Sequence, residues 1–179
     1  MSTKTTYDPV AKALHWLIVA LLIGQYTVGS IMPHIGRDTQ DAGWVHRHLT
    51  LGAIILLVIV LRFLWRIRGP VPEPLAAIPW ERKLAAFTHG MLYGLVFVLT
   101  LLGWAAANSR GWEVKLFGVI PLPALCPKGS AWGHEAGDIH NILIYVLLGF
   151  IILHLAGVLK HQLIDRNNIL RRMLAGNAP

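Results

Sequence analysis

The chain has 179 residues, of which 55% are hydrophobic and only 14% are charged, and its mean hydropathy is +0.55. A water-soluble fold of this size would need more polar surface, so an ordinary soluble domain is excluded. The formal net charge of +7 comes from basic residues beside apolar segments, which indicates membrane topology and contact with anionic lipid rather than nucleic-acid binding.

Four apolar segments are long enough to cross a hydrocarbon core of about 30 Å as helices. In chain order they cover residues 13–32, 48–65, 84–107 and 139–159. No segment outside them is large enough for a second domain. We therefore predict an all-α membrane protein with one domain over residues 1–179, built as a bundle of four transmembrane helices.

The first apolar segment follows two basic residues, Lys4 and Lys12, as the apolar region of a secretory signal peptide does. It is longer than such a region, and no convincing small-residue cleavage site precedes Pro33. We therefore expect this segment to stay in place as the first span.

The distribution of basic residues predicts the orientation of the bundle, because cytoplasmic loops are enriched in Lys and Arg. One side carries eleven of the 16 basic residues: Lys4, Lys12, Arg62, Arg66, Arg68, Arg82, Lys83, Lys160, Arg166, Arg171 and Arg172. The other side carries Arg37, Arg47, Arg110, Lys115 and Lys128. Both termini are therefore predicted to be cytoplasmic.

Two connecting segments have distinctive compositions. The segment from Gly69 to Pro79 contains four prolines, which predicts a stiff, extended connection between the second and third spans. The longest outer segment, from Asn108 to Asp138, is rich in glycine, proline and tryptophan. We expect it to lie along the outer face of the membrane.

The fourth span contains His140 and His154, fourteen residues apart. Fourteen residues are close to four helical turns, so both imidazoles leave one face of the helix about 21 Å apart along its axis. Ionisable side chains within a membrane are costly and usually face a partner inside the bundle. The pair therefore predicts a metal or cofactor at each of two depths.

The other histidines fall near the same two depths. His46 and His48 lie near the outer face with His140, and His15, His89 and His161 lie near the cytoplasmic face with His154, while His34 and His134 are in outer loops. Two imidazoles at one depth on facing helices are the ligands of a six-coordinate haem b. The outer partner of His140 is His48 or His46, and the inner partner of His154 is His15 or His89.

The alternative interpretation is that these histidines are ordinary polar residues of a bundle core. A single histidine fits that interpretation well, but a matched set at two depths would carry a burial cost at each site.

Cys126 is the only cysteine and no Cys-x-x-Cys-His motif is present, which excludes covalent haem attachment and an iron–sulfur cluster. Any cofactor must therefore be held by histidine.

Several of these residues together resemble the bacterial di-haem cytochrome b561 family and, within it, the superoxide oxidase group. The resemblance rests on His15-Trp16, on His48 followed by Gly52 and Arg62, on His140 and His154, and on the tail Asp165, Asn167, Asn168, Leu170, Arg171, Arg172 and Met173. It covers nearly the whole chain.

The resemblance implies a four-helix bundle in the bacterial inner membrane with two non-covalent b haems. It assigns His48 and His140 to the outer haem and His15 and His154 to the inner one. His48 is preferred to His46 because it precedes Gly52 by four residues and Arg62 by fourteen, as in the family pattern.

The resemblance also implies a quinone pocket beside the inner haem, which we expect near His154, with His89, Lys160 and His161 as its polar groups. A quinone carbonyl can accept hydrogen bonds there, and a histidine can deliver protons. Arg62 lies at the same level and either pairs with a haem propionate or extends to the cytoplasmic interface.

The outer segment carries three cations that outnumber Glu113 near the outer haem. These are Arg110, Lys115 and Lys128, which would attract a small anion or else form ordinary surface charge. We predict that they guide superoxide to the outer haem.

Three functions fit these features. The first is an oxidoreductase that oxidises periplasmic superoxide and reduces ubiquinone. The second is a cytochrome b subunit that carries electrons between quinone and a periplasmic dehydrogenase or another redox partner. The third, a haem-free metal transporter, is disfavoured because no intramembrane Asp or Glu accompanies the histidines.

Overall fold

The computed structural model of the chain describes residues 7–36, 39–69, 78–167 and 169–174. Four residues or ranges used above lie outside this part: Lys4, Arg37, Asn168 and residues 70–77 of the proline-rich connection.

The described chain consists mainly of four long helices, α1 (Pro9–Ile31), α2 (Gly43–Arg68), α3 (Pro79–Ser109) and α4 (Ala131–Leu159). A π-helical turn (Lys160–Ile164) continues α4, and a short 3₁₀ helix (Ile169–Arg172) follows it. Each of the four helices is long and apolar enough to cross a membrane. The predicted mostly helical architecture with four membrane-spanning segments is therefore confirmed.

Local sequence explains where two of these helices begin. The Asp8 carboxylate accepts a hydrogen bond from the Ala11 backbone N–H at 3.0 Å, and Pro9 occupies the first turn of α1. The Ser130 hydroxyl accepts from the Gly133 N–H at 3.4 Å and caps α4. Helix α4 therefore begins at Ala131, within the outer segment that hydropathy alone left outside the fourth span, because its first turns contain polar residues.

The helices pack in chain order, α1 on α2, α2 on α3 and α3 on α4. The central core takes residues from all four helices: Ile18, Ile55, Val58, Ile59, Leu95, Val96, Leu99 and Leu147. Helix α1 also reaches α4, because the Tyr26 hydroxyl donates to the Ile144 carbonyl at 2.8 Å. Large apolar side chains such as Ile142 and Ile152 remain exposed on the outside of α4, as expected of a surface that faces lipid.

The segment between α3 and α4 contains a small antiparallel hairpin, β1 (Lys115–Leu116) and β2 (Ile120–Pro121). Its turn includes Gly118 in the left-handed region, with φ 74°. Strand β1 contacts α2, and a Cβ at Gly118 would lie 3.9 Å from Thr50 Oγ1. The hairpin therefore packs on the outer end of α2.

Candidate functional site

At the outer level, α2 and α4 bring His48 and His140 together, with ring centroids 6.3 Å apart and ring planes 80° apart. The Nδ1 atom of His140 donates to the Leu99 carbonyl at 2.9 Å, which leaves its Nε2 atom free to bind a metal. Gly103 provides the space for this ring, because a Cβ there would lie 3.1 Å from His140 Cε1.

Helix α1 contacts the other ring of this pair. The Gln25 side-chain amide donates to His48 Nε2 at 3.1 Å and to the His48 carbonyl at 3.2 Å. Gly29 lies one turn further along α1, where a Cβ would be 3.5 Å from His48 Cε1. The Nδ1 atom of His48 is buried and has no hydrogen-bond partner among the described residues. An unpaired buried imidazole nitrogen is costly, so the residues of this site fit a polar or metallic ligand that binds His48.

His46, the other outer candidate, lies at the protein surface. Its Nδ1 atom is 3.3 Å from an Asp41 carboxylate oxygen, and 40% of its side chain is exposed. The structure therefore brings His48 to His140 and holds His46 beside an acidic residue of the preceding loop. Sequence spacing did not reveal this contact.

At the inner level, three imidazoles meet. The His15 ring centroid lies 6.5 Å from that of His154, and the His89 centroid lies 5.1 Å from it. The Nδ1 atom of His89 also donates to the Ala85 carbonyl at 2.6 Å. Helices α1, α3 and α4 thus each contribute one histidine to this level.

The spacing of the rings tests whether a haem fits between them. An imidazole nitrogen binds a transition metal at about 2 Å, and the ring centroid lies roughly 1.1 Å behind it, so two rings on one iron have centroids about 6.3 Å apart. The separations of 6.3 Å for His48 and His140 and 6.5 Å for His15 and His154 match this value. The 5.1 Å between His89 and His154 is too short for the same arrangement.

Arg62 points into the bundle at the inner level. Its guanidinium donates to the Ala11 carbonyl at 3.1 Å and lies 5.7 Å from the centroid of the Tyr93 ring. The side chain is partly buried. The Arg62 guanidinium thus lies between the beginning of α1 and the Tyr93 ring, and its pairing with a haem propionate stays a prediction.

Lys160 and His161 form an ion-pair cluster with two acidic residues. Lys160 Nζ lies 3.0 Å from Glu81 and 2.8 Å from Asp165, and His161 Nδ1 donates to Asp165 at 2.7 Å. The hydrogen bond from Lys160 lowers the pKa of the Asp165 carboxyl below its ordinary value. From the sequence, Asp165 enters only as part of the family resemblance, and Glu81 is not predicted. Asp165 follows His161 by four residues, a detectable helical spacing, whereas Glu81 lies on another helix and offers no sequence signal.

The three outer cations lie around the end of α3 and the segment that follows it. Arg110 donates to the Gly36 carbonyl at 3.1 Å, and Lys115 pairs with Glu113 at 3.3 Å. The exposed Lys128 packs its aliphatic chain over Gly111, where a Cβ would lie 2.9 Å from Lys128 Cδ. Arg110 and Lys128 are thus close together, and the charge of Lys115 is partly balanced by Glu113.

Comparison with known proteins agrees with the resemblance to the cytochrome b561 family. Residues 6–176 match the family model described as prokaryotic cytochrome b561. Cytochrome b561 homolog 2 of Escherichia coli K12 is 30% identical, over 97% of this chain and 93% of its own length. Cytochrome b562 of Cereibacter sphaeroides is 25% identical, over 97% and 98%. A probable Ni/Fe-hydrogenase B-type cytochrome subunit of Rhizobium leguminosarum bv. viciae is 20% identical, over 95% and 86%.

Proposed function

The chain belongs to the prokaryotic cytochrome b561 family, and on this premise we propose that it is a superoxide:ubiquinone oxidoreductase with two b haems. As a family member it is a haem-binding, multi-pass membrane protein of electron transport. The observation that carries the proposal is the presence of two histidine pairs with haem-like spacing at the two ends of one helix. We further propose that residues 1–179 form one domain of the bacterial inner membrane.

His48 and His140 hold the outer haem, and His15 and His154 hold the inner one. When bound, the haems supply one-electron chemistry and carry electrons between the two sides of the membrane. The Leu99 carbonyl holds the His140 imidazole in the tautomer whose Nε2 lone pair is free to bind. Arg62 extends towards the inner level, where its charge is suited to pair with a haem propionate.

Both termini lie in the cytoplasm, so the His48–His140 pair is periplasmic. The support for this orientation is the basic-residue distribution, with eleven of 16 Lys and Arg on the side of the termini.

Superoxide donates electrons at the periplasmic end. Arg110, Lys115 and Lys128 attract this small anion, and two superoxide anions release two electrons as they become dioxygen. The electrons pass inward, where ubiquinone takes up both of them together with two protons from the cytoplasm and becomes ubiquinol.

The quinone is reduced at the cytoplasmic end, near His154, with His89, Lys160 and His161 as the polar groups. His161 has a geometry suited to proton delivery, because Asp165 binds its Nδ1 atom and leaves Nε2 for a ligand. Lys160 has three N–H donors, and its charge is balanced by Glu81 and Asp165, which lie 3.0 and 2.8 Å from its Nζ atom.

Stopped-flow reduction of the purified protein by superoxide tests the proposal. We expect two b haems per chain and rapid haem reduction that slows as salt is raised, because exposed charges are screened. Replacing all three outer cations with glutamine should slow reduction roughly tenfold at low salt and leave the haem content intact. Replacing Arg166, Arg171 and Arg172 with glutamine is the control, because the basic-residue distribution puts these three cations on the opposite side of the membrane.

A second candidate is a cytochrome b subunit that accepts electrons from a periplasmic protein. The likeness to the Rhizobium protein, whose name describes a hydrogenase cytochrome subunit, favours it. Haem reduction by superoxide that is slow and indifferent to salt and to the three substitutions would select this candidate.

A further inference from the structure

A run of twelve apolar residues, from Leu116 to Pro127, lies between α3 and α4 and includes most of the outer hairpin. Its side chains include no charged, amide or hydroxyl group, and a lysine stands at each end, Lys115 before the run and Lys128 after it. The run is too short to cross a hydrocarbon core of about 30 Å, and apolar runs of this length in membrane proteins are typical of interfacial segments.

One side of the run packs beside the outer part of the second span. The buried Val114, just before the run, clusters with Ala53 of α2 and Ala107 of α3, and Leu116 and Leu122 pack against this cluster. Ala53 lies ten residues after the first residue of α2, or about 15 Å along the helix axis, and inside the apolar segment that begins at residue 48. The hairpin therefore lies beside the membrane-spanning part of α2 and not beyond its end.

The other side of the run is exposed and apolar. The side chains of Phe117, Val119 and Ile120 follow one another along the hairpin, and these residues are 55%, 73% and 52% exposed. Exposed apolar side chains beside a membrane-spanning helix, at the depth of its outer turns, face the boundary between acyl chains and headgroups.

The backbone of the run needs little water. Three of its residues are prolines, which have no N–H group: Pro121, Pro123 and Pro127. Four other N–H groups donate hydrogen bonds within the protein, those of Gly118, Val119, Leu122 and Leu125. An unpaired N–H group is costly in an apolar environment. At seven of the twelve positions, therefore, no unpaired N–H group needs water.

Phe117 has an unusual backbone conformation in the hairpin turn. Its φ of 54° lies in the left-handed region, where glycine and asparagine are favoured and a bulky side chain is strained. Glycine would form this turn without strain. The presence of phenylalanine therefore indicates that the ring has a favourable environment on the exposed side, and aromatic rings are favoured at membrane interfaces.

We propose that this run is an interfacial anchor, with the side chains of Phe117, Val119 and Ile120 inserted into the outer leaflet beside α2. The flanking lysines then lie near the lipid phosphates, which suits their charge. Lipid is the partner because the run offers no polar side chain for recognition of a soluble protein and lies against a membrane-spanning helix. The anchor is independent of the proposed electron donor and acceptor.

Spin labelling of the full-length protein in vesicles of phosphatidylcholine and phosphatidylglycerol tests the proposal. A nitroxide on Val119→Cys should collide several-fold less often with a water-soluble nickel chelate, and more often with oxygen, than a nitroxide on Glu113→Cys. Glu113 is the matched control, because it lies in the same outer segment and its side chain is 71% exposed. Both variants carry Cys126→Ser, since Cys126 is the only native cysteine.

Substitution of Phe117 tests the role of the ring. Phe117→Asn suits the left-handed conformation but is polar, so it should increase the nickel collisions of a label at position 119 several-fold. Phe117→Leu keeps an apolar side chain and should leave the collisions unchanged. Haem content identifies the variants that fold, and Ile120→Cys replaces Val119→Cys if that variant does not.

Equal nickel accessibility at positions 119 and 113 would overturn the proposal and place the hairpin in water. Protection of the label at position 119 from both reagents, with dipolar coupling between labels on two molecules, would also overturn it and assign the surface to a contact between copies. Neither measurement uses superoxide or quinone, so failure of the proposed function leaves this test intact.

Discussion

The two ends of the bundle hold histidines in different ways. At the outer end two imidazoles face each other at 6.3 Å, enclosed by Gly103, Gly29 and the Gln25 amide. At the inner end three imidazoles converge, with Arg62 close by. Imidazole rings are thus the candidate ligands at both levels, but they are packed more tightly at the outer level than at the inner one.

This difference shows how a partner is selected at each level. At the outer end His46 and His48 are two residues apart on α2, so their rings leave different sides of the helix, and His48 is the one that reaches His140. At the inner end both candidates reach His154, and ring separation distinguishes them, since 6.5 Å suits a shared iron and 5.1 Å does not. Under the proposed ligation, His89 is the histidine left over, and its Nδ1 atom already donates to the Ala85 carbonyl.

Replacing the outer ligands gives the largest expected effect. His48→Ala should remove about one of two haems, because a six-coordinate site without one axial imidazole binds its cofactor poorly. His46→Ala is the matched control and should retain both haems. Pyridine haemochrome quantification per chain measures the difference, and haem loss in His46→Ala would reverse the outer assignment.

The inner level offers a stricter comparison, because two candidate rings contact the same partner. His15→Ala should lose about one haem for the same reason, whereas His89→Ala should keep both and show slower reoxidation by quinone. Haem content and the low-temperature spectrum of the reduced protein separate the two variants. Loss of the inner haem in His89→Ala with retention in His15→Ala would show that His89 is the ligand.

Because the outer level is tightly packed, a substitution at Gly103 should reduce the content of the outer haem only. The loss should be smaller than when a histidine ligand is removed. Gly103→Val places a side chain where even a Cβ would lie 3.1 Å from His140 Cε1, so partial loss of the outer haem alone is expected. Gly149→Val, on the open surface of α4, should bind both haems normally. A redox titration that resolves two haems identifies which one is affected, and equal occupancy in both variants would contradict the packing argument.

The smallest effect is expected from the ion-pair cluster at the inner end. Because Lys160 lowers the pKa of Asp165 below its unfolded-state value, the carboxylate stabilises the fold at neutral pH and loses this contribution as pH falls through the folded-state pKa. Asp165→Asn should lower the apparent Tm by about 2 °C or less at pH 7, since exposed pairs contribute little. The difference in Tm should shrink as the pH falls below the ordinary carboxyl range, and a difference that grows on acidification would exclude the mechanism.

Several parts of the fold and site follow from the chain alone because they are local properties. The length of each apolar run predicts a span, and the fourteen residues between His140 and His154 place both rings on one face of α4 whatever surrounds the helix. The helix cap at Ser130 is also a local property. Hydropathy did not locate this beginning of α4, because the first turns of the helix contain polar residues.

What the sequence by itself determined is therefore a four-helix membrane protein with histidines at two depths. Only the tertiary structure decided that His48 rather than His46 faces His140, that Glu81 meets Lys160 across two helices, and that Gly90 and Gly94 line a groove. Those contacts depend on the rotation and spacing of the helices, which packing between residues far apart in the chain sets. No periodicity within one helix carries that information.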